Sequence, residues 1–110
     1  MKYNDGFAWW FTGLVDGEGC FHARTHIRKS DGAHVLAVYF SIKMRVDDLP
    51  MLMHIQSQLG TGKIYRHSEK LSKYEQADFR IAHRKILANV IVSHFDKYPL
   101  QSKKQNDYKL

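Results

Sequence analysis

Cysteine is almost missing: Cys20 is the only one among 110 residues. No internal disulfide can form, which excludes the disulfide-stapled secreted scaffolds and fits an intracellular setting, bacterial cytoplasm or organelle matrix, rather than secretion. Proline occurs twice, and no low-complexity tract, linker or repeat divides the chain. Apolar residues nowhere run long enough to span a bilayer, so no membrane association is expected. Asn4 and Asp5 lie close to the first helical pattern, so no signal or transit leader is expected either. Acids are short in number. Eleven Asp and Glu face 17 Lys and Arg, for a net charge of +6 before any of the seven histidines is charged. That balance points to a polyanionic partner.

What is present suits one folded domain over residues 1–110. Hydrophobic residues make up 44% and aromatics 13%, which excludes disorder, and the length suffices for one modest core but not two. An amphipathic helix opens the chain, capped by Asn4 or Asp5, with Phe7, Trp10, Phe11 and Leu14 at helical spacing. Gly13 and Gly17 lie four apart, leaving one helical face without side chains where another backbone can approach. The helix is expected to break at Gly17-Glu18-Gly19, where glycine supplies terminal or left-handed geometry. Asp16 and Glu18 then stand at the negative end of the helix dipole, where a carboxylate is disfavoured by about 0.3–1 kcal/mol. Two such helices packed through their glycine faces gather four carboxylates, which must be protonated or neutralised by cations. Oxygen-only ligands favour Mg²⁺ or Ca²⁺.

Residues 20 to 28 alternate as a half-buried strand, with Phe21, Ala23, Thr25 and Ile27 inward and His22, Arg24, His26 and Arg28 outward. Ser30-Asp31-Gly32 reads as a hairpin turn. In the second strand Leu36, Val38, Phe40, Ile42 and Met44 face inward, and Tyr39, Ser41, Lys43 and Arg45 outward. Asp47 and Asp48 are expected to cap a second helix with Pro50 in its first turn and Leu52, Ile55 and Leu59 buried, closed by Gly60-Thr61-Gly62. A third strand shows Lys63, Tyr65 and His67 on one side. Residues 68 to 73 read as a loop, and in the fourth strand Gln76, Asp78 and Arg80 share a face. A third helix is expected over about 84 to 95, closed by Pro99, and a short polar helix over 101 to 110. The order α-β-β-α-β-β-α predicts an α+β fold, an antiparallel four-stranded sheet with helices on one face. The outward residues form a cationic surface with interleaved aromatic, amide and hydroxyl groups. A major groove admits such a β-ribbon, where Arg and Lys read guanine and Gln reads adenine.

Phe11-Thr12-Gly13-Leu14-Val15-Asp16-Gly17-Glu18-Gly19 resembles the signature of the LAGLIDADG homing endonucleases. The element order, Leu59-Gly60-Thr61-Gly62-Lys63-Ile64, and the segment from Phe95 to Leu100 with Lys103-Lys104 extend the similarity over nearly the whole chain. The resemblance implies a saddle-shaped sheet over double-stranded DNA and a homodimer joined through the motif helices at Trp10, Gly13, Leu14 and Gly17. It implies metal-dependent double-strand cleavage at a long pseudo-palindromic site, in the service of intron or intein mobility. Mg²⁺ is the expected ion, with Ca²⁺ or Mn²⁺ substituting in binding, and no small-molecule cofactor. By the same resemblance Glu18 and the Gly17 carbonyl hold metal, Asp16 supports the helix end, and Lys103 or Lys104 stands near the scissile phosphate. One departure is Met44, where many members place a glutamine that orients water; Arg45 or a register shift is a conceivable substitute. Cys20 reads as a small packing residue and not a nucleophile. Two other readings stand beside the nuclease: a binding or RNA-maturase module without cleavage, favoured by Met44, and an inactive half of a two-motif protein.

Overall fold

The computed structural model describes residues 3–68 and 74–109; of the expected 68–73 loop, all but Ser68 lies outside the described residues. Helix α1 spans Asp5–Glu18. Asn4 caps it, its side-chain oxygen accepting from the Phe7 amide at 2.8 Å. The helix does not end in left-handed glycine. Gly19 has φ −81° and ψ 159° and is already the first residue of β1, Gly19–Ile27. Its glycine is required by closeness instead: an added Cβ would meet the Val15 side chain at 2.6 Å and the Val15 backbone at 3.0 Å.

Strand β2, His34–Arg45, pairs antiparallel with β1. The turn between them is locked by Arg28 on Asp31, with Gly32 at φ +71°. A short 3₁₀ turn, Val46–Asp48, leads into α2, Leu49–Leu59. Neither acid caps α2 through its side chain; Asp47 pairs with Arg45 at 2.9 Å instead. Gly60 ends α2 in the left-handed conformation that glycine tolerates best. Strands β3, Lys63–His67, and β4, Gln76–Ile81, complete one antiparallel sheet in the order β1-β2-β4-β3.

The last helical run, α3, begins as α-helix over Arg84–Ile86, widens to π-helix over Leu87–Val92 and returns to α over Ser93–Lys97. It therefore outlasts the expected end by two residues. The expected polar helix beyond it is a 3₁₀ segment, Lys103–Lys109.

All three helices pack on one sheet face. Phe7, Phe11 and Val15 of α1, Leu52 and Ile55 of α2, and Ile91 and Phe95 of α3 enclose Phe40, Ile42, Phe79 and Ile81. Phe11 lies at the centre, stacked on Phe95 and edge-on to Phe40. A fully buried side chain of this size contributes about 1.5–3 kcal/mol. The β1–β2 hairpin reaches past the helices, so the inward parity of its far half buries nothing: Ile27 is 63% and Leu36 47% exposed.

His94 is fully buried among Phe11, Phe95, Tyr3 and Tyr98. Thr12 donates its hydroxyl to the Tyr98 carbonyl at 2.9 Å. It must then accept from His94 Nε2, also at 2.9 Å, leaving Nδ1 to accept from the Tyr3 hydroxyl at 2.7 Å. The ring is thus held neutral, and burial pushes its pKa down to about 4 from 6.5. The unfolded chain binds a proton that the folded chain refuses between those values. Stability from this group is complete above about pH 6.5 and falls by up to about 3 kcal/mol as pH drops to 4. Urea unfolding of wild type and His94→Gln from pH 7.5 to 4.5 should show the wild-type advantage level down to about pH 6.5 and shrinking below it.

Candidate functional site

The sheet register sorts the outward residues into rows. His26 lies beside Val35, Arg24 beside Ala37, and His22 beside Tyr39. Cys20, Ser41, Arg80 and Lys63 form the next row, then Lys43, Asp78 and Tyr65, then Arg45, Gln76 and His67. Every expected strand residue except Arg28 therefore shares one face. Arg28 lies beyond β1 and spends its guanidinium on Asp31, with bonds of 3.0 and 2.7 Å. Arg24, His26, Lys63 and Tyr65 are exposed. Lys43 is also exposed, and Gln76 and His67 are half-buried.

Several expected contact residues are already engaged. Ser41 is buried, with His22 Nε2 at 3.1 Å from its hydroxyl. His22 stacks on Tyr39, with ring centroids 4.2 Å apart. Burial, then the charges of Arg80 and Arg24, hold its imidazole below its ordinary pKa despite Asp78. Arg45 pairs with Asp47 and lies over the Tyr74 ring at 3.6 Å. Met44 itself is half-buried and packs against the core, in the row of Ala77 and Arg66. Asp78 is buried too, paired with Arg80. Cys20 is not a packing residue: it is exposed on the sheet's outer face, where residue parity could have placed it.

The end of α1 meets the sheet at Gly19, which pairs with Ile42 on β2. Gly13 and Gly17 are exposed, and a Cβ added at either would meet nothing within 4 Å. Trp9 and Trp10 flank that bare stripe at 51% and 40% exposure. Trp9 rests edge-on against Tyr98, and Trp10 lies near Phe7 and His54. Leu14, also expected at the interface, is half-buried and packs against the chain's own core.

Asp16 and Lys104 form a clasp that sequence reasoning missed. The Asp16 carboxylate accepts the backbone amides of Gln101 and Ser102, both at 2.9 Å. Burial works to raise its pKa, but those amides, the Ser102 hydroxyl and the Lys104 charge outweigh it and hold the carboxyl below its ordinary value. In return Lys104 Nζ donates to the carbonyls of Val15 at 3.2 Å and Asp16 at 2.8 Å. An ammonium at the negative end of the dipole balances the acids that the helix alone leaves uncompensated. Both Asp16 oxygens and two of the three Lys104 ammonium donors are thereby engaged within the chain, and Lys103 is exposed.

Glu18 differs. It is exposed, and among the described residues its carboxylate has neither hydrogen bond nor ion pair. An anionic oxygen beside a terminal helix carbonyl suits a hard divalent cation. No group of three or more His, Cys, Asp and Glu gathers among the described residues of one chain. The donor set fits such an ion only if a second copy adds to it. No helix among the described residues is long and apolar enough to cross a membrane.

Comparison with known proteins bears on this geometry. A family model described as LAGLIDADG endonuclease matches residues 11–110. An uncharacterized 50.9 kDa protein in ND4 intron 1 of Podospora anserina is 36% identical over 91% of this chain and 22% of its own length. A Schizosaccharomyces pombe protein named as a probable intron-encoded endonuclease, Cox1-I1b, is 30% identical over 94% of this chain and 26% of its own. The chain thus spans about a quarter of these relatives. The crystal structure of the LAGLIDADG meganuclease I-CpaMI bound to uncleaved DNA superposes with a TM-score of 0.82 at 33% identity, over 97% of this chain and 35% of that one.

The clasp makes a prediction that concerns stability alone. Lys104→Ala and Asp16→Ala should each lower stability by about 1–2 kcal/mol, the scale of a lost charge-assisted hydrogen bond. Each should also speed proteolysis within residues 98–109. The double variant should cost less than the sum, because the two residues fasten one segment.

Proposed function

The chain belongs to the LAGLIDADG endonuclease family, and from that premise we propose that it is a homodimeric, site-specific endonuclease of double-stranded DNA. The observation that supports this most is Glu18: an exposed carboxylate without a partner among the described residues, at the end of a helix whose glycine face is open. One chain offers one Glu18 and one half of a saddle. A twofold pair through Gly13 and Gly17 brings two Glu18 carboxylates together and reads a nearly palindromic site. Trp9 and Trp10 then border the contact, giving a glycine-only seam the apolar area it otherwise lacks.

In this reading the two Glu18 carboxylates and the Gly17 carbonyls hold divalent metal, Mg²⁺ in the first instance. Such ions supply Lewis-acid stabilisation and an activated water when bound. Lys103 stays available to the scissile phosphate, whereas Lys104 and Asp16 serve the architecture that aims Glu18. Arg24, His26, Lys63 and Tyr65 lie along the duplex, and their cations make affinity fall steeply with salt. The intron-borne names of the relatives suit a mobile intron as the genetic setting.

A second reading rests on Met44. Its side chain packs against the core and cannot hold water, and Arg45 beside it is paired with Asp47 and stacked on Tyr74. A module that binds nucleic acid without efficient cleavage is consistent with that.

Glu18→Gln separates the two. In a randomised duplex library with Mg²⁺, the wild type should cut and Glu18→Gln should cut at least about a hundredfold more slowly, the scale of losing one charge-stabilising group. Binding without metal should be unchanged or tighter, because repulsion from phosphate is relieved. Gly13→Leu should sediment as a monomer and lose specific binding. A wild type that binds one sequence but never cuts it would establish the second reading.

A further inference from the structure

Asp78 is an anomaly on a surface otherwise suited to phosphate and base edges. It is 3% exposed on the outward face, and its Oδ1 is buried without a hydrogen-bond partner among the described residues. A buried carboxylate oxygen left unpaired costs about 1–3 kcal/mol, so folding alone favours an apolar residue there. The other oxygen shows what it holds: Oδ2 accepts from Arg80 Nε at 2.7 Å. Arg80 is further fenced by Tyr39 and Tyr65, with its guanidinium carbon 4.9 and 5.8 Å from the two ring centroids. Its terminal nitrogens have no hydrogen bond among the described residues, and its side chain is 44% exposed. The register sets it in the middle of the sheet, between Ser41 and Lys63.

We infer that Asp78 is a positioning residue that does not touch DNA, and that through it Arg80 is fixed to read one guanine in each half-site. The inference rests on the DNA-binding reading above. A guanidinium held at Nε by a carboxylate keeps its two terminal N–H groups parallel and outward, the fork that matches guanine O6 and N7. Three side chains from three strands restrict its rotamers before binding, so less freedom is lost on contact. Lysine has no fork and no Nε, and cannot replace it.

The test is a binding selection from a randomised duplex library by wild type, Arg80→Lys, Asp78→Ala and Asp78→Asn, with thermal midpoints taken in parallel. The wild type should select guanine at one position per half-site. Arg80→Lys and Asp78→Ala should both lose that preference by about 5- to 150-fold, the worth of one bidentate base contact. Preferences elsewhere should stand, and the midpoint of Asp78→Ala should not fall. Asp78→Asn keeps an acceptor for Nε and should retain most of the guanine preference. If Asp78→Ala keeps the preference that Arg80→Lys loses, Arg80 reads unaided and the assignment to Asp78 fails. If Asp78→Ala instead loses a cytosine at a different position, Asp78 reads a base itself. Equal weakening on all sequences makes Arg80 a phosphate contact and overturns the inference. A wild type that selects no sequence at all removes the DNA-reading premise first, and the inference with it.

Discussion

The junction of α1 with β1 has no linker, and the rest of the molecule follows from that. Glu18 is the last residue of the helix and Gly19 the first of the strand. Gly19 accepts that splice only because it has no Cβ, which would strike Val15. The splice fixes the angle between the helix axis and the sheet, and so holds Glu18 two residues from Cys20, the outward residue of β1 nearest the helix. A linker of even a few residues would let the helix end and the sheet face drift apart. The same constraint explains the clasp. A helix that runs straight into a strand has no left-handed cap for its last carbonyls, and Lys104 supplies the donor and the balancing charge from the far end of the chain.

Rigidity at that junction comes from the layer behind it. Phe11, Phe95 and Phe40 hold α1 against the sheet, and the neutral His94 ties Thr12 to Tyr3. In contrast, the face at Gly13 and Gly17 has no covering among the described residues. The helix is thus firmly seated on one side and bare on the other, the division expected of an element with both an internal and an external partner. The sheet divides similarly. Its base is buried beneath helices, while the β1–β2 hairpin projects into solvent on both faces.

Much of this was legible in the residues. Period-two alternation sorted the strand residues onto their faces, because one face of this sheet is buried and parity has a consequence there. Gly60 and the α1 apolar stripe were equally plain, and the cap of α1 was narrowed to Asn4 or Asp5, since each acts within a few residues. What escaped notice depends on distant partners. Asp16 meets the amides of residues 101 and 102, and His94 meets Thr12 and Tyr3; neither pairing has a local signature. The burial of Ser41 and Asp78 on a face that reads as solvated follows from neighbours on adjacent strands, as does the capture of Arg45. The π segment of α3 and the 3₁₀ form of the tail have no pattern in spacing that separates them from α-helix.

The central claim is that two copies meet through α1 and bring their Glu18 carboxylates together. Cys20 gives direct access to it, being the sole cysteine, exposed, and two residues from Glu18. A spin label on Cys20 measured by pulsed dipolar spectroscopy reports the separation between the two helix ends without further mutation. The account predicts one narrow, short distance between labels in the wild type, lost in Gly13→Leu. An absent intermolecular signal, or a broad long-range one that Gly13→Leu leaves unchanged, would contradict it.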